Sequence, residues 1–336
     1  MTTDGRRAPM TVPVIFNLGL AAYFLLTVAL SALAGTEHGI LSMMLRGGRD
    51  GVLVALLLAL SVLLTLYGLR RRGGAGVAGR LLGAVLVGAA VWLYLIPAFA
   101  VVKAMVPLPL GYWADPLFAE LDRLVHLGHD AWRVYWPLAT QVPFQVHFIG
   151  YHFAWTVLAL SLPVLATAFD PDIGRRNRVL VGYLFVWIGL GNLLAALFAS
   201  VGPVYYADLT GIARYADYEA VREAVVPADG AVRRLQTMMW ENWEERTGRV
   251  GFAISAFPSV HVGMAALVMV YLVAISRLTG LIGIGYLALT QLTSVSYGWH
   301  YAVDGYASIA LVVLVWWASG RIVTRSRPRV AAAQAD

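Results

Sequence analysis

Eight apolar runs divide this chain and leave it few folds to choose from. They cover about residues 12–34, 52–69, 81–106, 142–169, 179–201, 258–275, 281–297 and 301–322. Roughly 20 apolar residues cross the hydrocarbon core as a helix, and in lipid a helix satisfies its own backbone polar groups. The expected fold is therefore all-α, a polytopic membrane bundle of about eight transmembrane helices. With 60% hydrophobic and 13% charged residues, a soluble domain is excluded. The net charge of +6 does not mark a nucleic-acid binder, because the arginines lie between apolar runs and not on one folded face. Zero cysteines rule out disulfides, a thiolate nucleophile and Cys-ligated metals.

The first run follows Arg6 and Arg7 and ends Ser31-Ala32-Leu33-Ala34-Gly35, which resembles a signal-peptide cleavage site. Its apolar part is about twenty residues, long for a leader and long enough to span, so a retained helix is expected, with a cleaved leader as the alternative. Arg70, Arg71 and Arg72 close the second run, and 73–79 is a glycine-rich connection. Pro97 is expected to kink the third run and free a carbonyl that a neighbouring helix must meet. Residues 107–141 mix Pro, Trp, Asp and Arg and read as an outer loop with a short amphipathic helix. His126 and His129 lie there without a third ligand at metal spacing, so no metal is assigned. Residues 207–255 form the longest polar segment, with helices expected near 218–225 and 231–246. Trp240 and Trp243 give it the character of an interfacial segment lying over the membrane, a lid candidate.

Lysine and arginine set the orientation. Arg6, Arg7, Arg70, Arg71, Arg72, Arg80, Arg175, Arg176, Arg178, Arg277, Arg321, Arg325, Arg327 and Arg329 make fourteen of the 25 on one side. The other side spreads eleven over longer loops together with fifteen of the 19 acidic residues. By the positive-inside rule the first side is cytoplasmic, so both termini are expected inside a plasma membrane and the loops 107–141 and 202–257 outside.

Two polar clusters interrupt the apolar pattern at that outer face. One is Phe257-Pro258-Ser259-Val260-His261; the other runs Ser296-Tyr297-Gly298-Trp299-His300-Tyr301-Ala302-Val303-Asp304. Imidazole and carboxylate at the edge of a span are costly unless they are used or paired. His300 and Asp304 are four apart, one helical turn, which makes an orienting pair. Pro258 suits an opening helical turn whose first N–H groups are free to meet an anion, with Ser259 and His261 as side-chain donors. Phosphoryl transfer asks for a nucleophile, donors on the phosphate oxygens and an acid for the leaving group, and the two clusters supply all three. Taken singly, each residue reads better as a cap or a loop anchor; the ordered set points to catalysis.

The order Pro-Ser-x-His, then about forty residues, then His-x-x-x-Asp resembles the type 2 phosphatidic acid phosphatase superfamily. Phe257 to His261 with Trp299 to Asp304 is most similar to its inositol phosphorylceramide synthase branch, as is Gly202-Pro203-Val204-Tyr205-Tyr206. The resemblance implies a six-helix phosphatase-like core over 81–322, two further helices in 1–80 and a basic cytoplasmic tail at 323–336. It also implies that His300 attacks phosphorus and becomes a phosphohistidine, that Asp304 orients it, that His261 protonates the leaving oxygen and that Ser259 donates to the phosphate, with no metal or other cofactor. The implied substrate is a lipid phosphate or phospholipid in the bilayer, and the acceptor is either water or a lipid or polyol hydroxyl.

There are departures. Ser294 stands six residues before His300, where the phosphatases carry Arg, and no Arg-Pro follows Lys103 at the spacing of their upstream motif. The candidates for the missing phosphate clamp are Arg249, Lys103 and Arg246. His147 and His152 lie on the same side and are expected in core or interface roles. A lipid-binding protein or transporter on the same fold is the alternative function, without the inverted repeat or paired broken helices that mark carriers. These residues settle neither the lipid nor the oligomeric state.

Overall fold

The computed structural model describes residues 12–33, 77–107, 109–245 and 253–325. The run at 52–69, Arg246, Arg249 and the tail beyond 325 lie outside the described residues. In chain order the main helices are α1 (Val12–Leu33), α2 (Gly79–Met105), α3 (Asp115–Val125), α4 (Ala131–Ala139) and α5 (Phe144–Phe169). They continue as α6 (Ile173–Leu197), α7 (Ala231–Glu244), α8 (Val260–Ile275), α9 (Arg277–Ser296) and α10 (Ala302–Arg325). Helices α1, α2, α5, α6, α9 and α10 are each long and apolar enough to cross a membrane, while α8 is equally apolar but has 16 residues. The fold is a polytopic helical bundle, and no strand occurs among the described residues.

Two helices begin earlier than their apolar runs, and for one reason. The Asp172 carboxylate accepts from Arg175 N at 2.8 Å and so caps α6 ahead of residue 179. Ser276 Oγ accepts from Thr279 N at 3.2 Å and starts α9 at Arg277. A cap satisfies the first orphan N–H groups whatever the hydropathy behind it. At Pro97 the expected break is absorbed, because a π-helical turn at Val91–Leu95 precedes it and the helix runs on to Met105.

The central element is α8. It touches α5, α6, α9 and α10, and Val262 through Val268 are all buried, so it has no polar face to present. Without a hydrophobic drive between helices in lipid, close approach of backbones supplies much of the cohesion, and glycines permit it. A Cβ on Gly263 would come within 2.8 Å of Leu190 Cδ1, and one on Gly283 within 2.9 Å of the Met269 backbone Cα. Over the ends where the two polar clusters lie packs a second layer of α3, α4, short turns between 203 and 224, and α7. The helices expected near 218–225 and 231–246 appear as Ala216–Val221 with the turn Arg222–Ala224, and as α7.

Because backbone cannot retreat as a side-chain tip can, Gly283→Val is expected to separate α8 from α9. The cost is about 1–3 kcal/mol of overpacking, read as a lower midpoint of thermal unfolding in detergent. At Gly19, which has nothing within 4 Å of an added Cβ, the same swap leaves the midpoint nearly unchanged.

Candidate active site

Both polar clusters sit at helix starts, and the starts are joined. Ser259 is the N-cap of α8, its Oγ accepting from Val262 N at 3.3 Å. Its own backbone N–H donates to the Asp304 carbonyl at 3.4 Å, which ties the first turn of α8 to that of α10. The residue read as a phosphate donor is thus first a helix cap; a hydroxyl that accepts one hydrogen bond still has a proton to give. Asp304 is fully buried and its Oδ2 accepts from Tyr301 N at 3.0 Å while lying 3.3 Å from His300 Nδ1. The orienting pair anticipated from the four-residue spacing is therefore present, with the imidazole also against the backbone of Ala256.

His261 occupies the first turn of α8, its ring between those of Tyr151 and Trp155 of α5. It lies within charge-interaction range of His300, His152 and Lys103, and His300 is likewise within range of Lys103. Lys103 comes from the last turn of α2, and among the described residues no carboxylate pairs with its ammonium. His152 stacks near Tyr297 with its Nε2 buried and unpartnered, whereas His147 is spent on structure, bonded to Thr293 Oγ1 at 2.7 Å and to the Ala139 carbonyl at 3.1 Å. Ser294 is fully buried beside Tyr151. The structure therefore brings together His261, His300, Asp304, Ser259 and Lys103.

Several residues that hold this arrangement escaped the sequence reading. Two carboxylates on α3 grip the segments around His300 and Gly202. Asp115, fully buried, accepts from Val201 N and Gly202 N, both at 2.9 Å at closest, and from Tyr301 OH at 2.8 Å. Asp122 accepts from Val303 N at 3.0 Å and so caps α10 from outside. Burial pushes the Asp115 carboxyl up to about 6 while its three donors pull the other way, so at neutral pH it remains mostly the ionised acceptor they need. The loop between α9 and α10 is gripped further by Val204 N on the Gly298 carbonyl at 3.0 Å, Tyr218 OH on the Ser296 carbonyl at 3.0 Å and Gln236 Nε2 on the Tyr297 carbonyl at 2.8 Å. Gly202, at φ +90°, leaves no room for a side chain, since a Cβ would meet the Trp299 carbonyl oxygen at 2.4 Å. An Asp-Pro step just before a short amphipathic stretch was the only sequence signal for Asp115, and it indicates a helix start and not a partner.

Removing the Asp115 carboxylate is expected to cost at least about 1–3 kcal/mol, since buried donors lose their acceptor. Thermal unfolding of Asp115→Ala in detergent checks this; Asp115→Asn, which keeps one acceptor oxygen, should fall less. Gly202→Ala should lower turnover as well as stability, by displacing the backbone one residue before His300.

Residues 117–318 match the PAP2 superfamily, and no curated protein or solved structure matches the chain. The match runs from α3 into α10, taking in both polar clusters and leaving out α2 with Lys103. Since it covers more than half of the 336 residues, the chain belongs to the PAP2 superfamily and carries its phosphatase and phosphotransferase type of chemistry on a polytopic helical frame.

Proposed function

We propose that this protein cleaves a lipid phosphoester or phosphoanhydride through a phosphohistidine at the outer face of the plasma membrane. His300 Nε2 attacks phosphorus, the bond from phosphorus to the leaving oxygen breaks, and His261 gives that oxygen its proton. Asp304 accepts from Nδ1–H, leaving Nε2 as the basic nitrogen, and offsets the positive charge of the phosphorylated ring. In the second half an incoming hydroxyl gives its proton to His261 and attacks phosphorus. The phosphorus–nitrogen bond breaks and His300 is regenerated. Lys103 neutralises the phosphate oxygens, with Ser259 as a further donor. Residues 81–322 form the catalytic core in this reading, with 1–80 as accessory helices and 323–336 as a cytoplasmic tail. The outer location rests on the asymmetry of lysine and arginine between the two sides.

The observation that carries this reading is the meeting of His261, His300 and Lys103 beside one orienting carboxylate, at two helix starts joined through Ser259 and Asp304. Such a set has an excess of positive charge and of donors, as an anion site requires. The acceptor we favour is a lipid or polyol hydroxyl, as in the inositol phosphorylceramide synthase branch. Support comes from position 294, where a small buried serine replaces the arginine of the phosphatases and passes the clamp to Lys103.

His300→Ala is expected to abolish turnover and the acid-labile phosphate trapped on the purified protein with a panel of prenyl, glycerol and sphingoid phosphates. Loss of turnover with the trapped phosphate unchanged would place the nucleophile elsewhere. His261→Ala should lose about a hundred- to ten-thousand-fold. With a labelled lipid phosphate, a new phospholipid marks transfer, and free phosphate alone marks hydrolysis. Lys103→Met should weaken both steps, while Lys103→Arg retains most of the activity.

A further inference from the structure

We propose that Tyr151 and Trp155 are positioning residues that clamp the imidazole of His261 as the cation required to protonate the leaving oxygen. The inference rests on the reading of His261 as the general acid. The Tyr151 ring lies 4.3 Å from the imidazole centroid at an interplanar angle of 3°, and the Trp155 ring 4.0 Å away at 26°. Two rings this parallel to a third, at this distance and not in contact with each other, occupy its opposite faces. Trp155 Nε1 also donates to the His261 carbonyl at 3.1 Å, so one side chain holds both the ring and the backbone of the first turn of α8.

The clamp has a chemical purpose that packing alone does not explain. The charged or titratable groups around His261 are Lys103 from α2, His152 from α5 and His300 from the loop before α10, all of which repel an added proton when they are themselves charged. Among the described residues no carboxylate contacts His261, so no ion pair supports the imidazolium. Aromatic π-faces favour a cation over the neutral ring, and more strongly away from water. Two of them give His261 what a carboxylate gives His300, without fixing the proton so firmly that it cannot be passed on.

The clamp is braced from behind. Tyr151 is buried and meets Tyr297 at 5.9 Å and 64°, while Trp155 meets Trp187 at 6.1 Å and 48°. Tyr151 lies inside the π-helical turn Ile149–Ala154 and Trp155 directly after it, and such turns are frequent where a helix re-aims side chains at a functional site.

The test uses the full chain in detergent with two substrates: an alkyl lipid phosphate, whose alkoxide must be protonated to leave, and p-nitrophenyl phosphate, whose phenolate leaves unaided. Tyr151→Leu and Trp155→Leu should each lower the single-turnover rate of alcohol release from the alkyl phosphate by roughly 10- to 100-fold, and the burst rate of p-nitrophenolate release from the aryl phosphate by less than about 3-fold. The aryl rate also reports that the variant is folded. Tyr151→Phe and Trp155→Phe, which keep a π-face, should stay within about 3-fold of the parent on both. Equal losses on the two substrates, or no loss on either, overturn the clamp if His261→Ala does discriminate between them. Failure of His261→Ala itself to discriminate overturns the reading of His261 as the acid, and the clamp with it.

Discussion

The end of this bundle that carries the two polar clusters depends on a buried carboxylate. Asp115 gathers the backbone N–H groups of Val201 and Gly202 and the hydroxyl of Tyr301, three donors from two segments nearly a hundred residues apart. Buried N–H groups left unpaired cost more than the hydrogen bond itself is worth, so one acidic side chain with several lone pairs is an efficient way to close loops over a membrane protein. Seven residues on, Asp122 caps α10, so a single amphipathic helix fixes the residues that follow His300. Rigidity around His300 therefore originates in part in a short helix outside the spans.

Beneath that layer the bundle solves a different problem. Helices surrounded by lipid gain little from hydrophobicity, and α8 is held by contact on every side and by glycines that let its neighbours approach. Its buried position makes it a firm mount for His261 in its first turn. The hydrogen bond from Ser259 N to the Asp304 carbonyl then fixes α8 against α10, so that the two imidazoles are held by adjoining helix starts.

The electrostatics of the site differ from one histidine to the other. His300 has Asp304 beside it; His261 has aromatic faces. Lys103 stands within reach of both and belongs to α2, which precedes the matched family region. In the proposed reading, with serine at position 294, a cation delivered by a separate helix stands in for the arginine that the phosphatases carry on the same one.

Sequence alone determined the parts of this protein that are local. Runs of apolar residues marked α1, α2, α5, α6, α9 and α10 because crossing lipid demands length and hydropathy and little else, and the four-residue interval of His300 and Asp304 pointed to their pairing, although His300 lies in the loop just before α10 and reaches Asp304 from there and not along a helical turn. Capping shifted the starts of α6 and α9, since a cap acts through one side chain that periodicity does not register. Only the tertiary structure decided that Asp115 and Asp122 would hold the site, that Gln236 and Tyr218 would grip the Tyr297 and Ser296 carbonyls, and that Tyr151 and Trp155 would enclose His261. These partners lie between about sixty and two hundred residues apart, and the contacts arise from how helices pack, a relation between distant segments that neither composition nor local spacing contains.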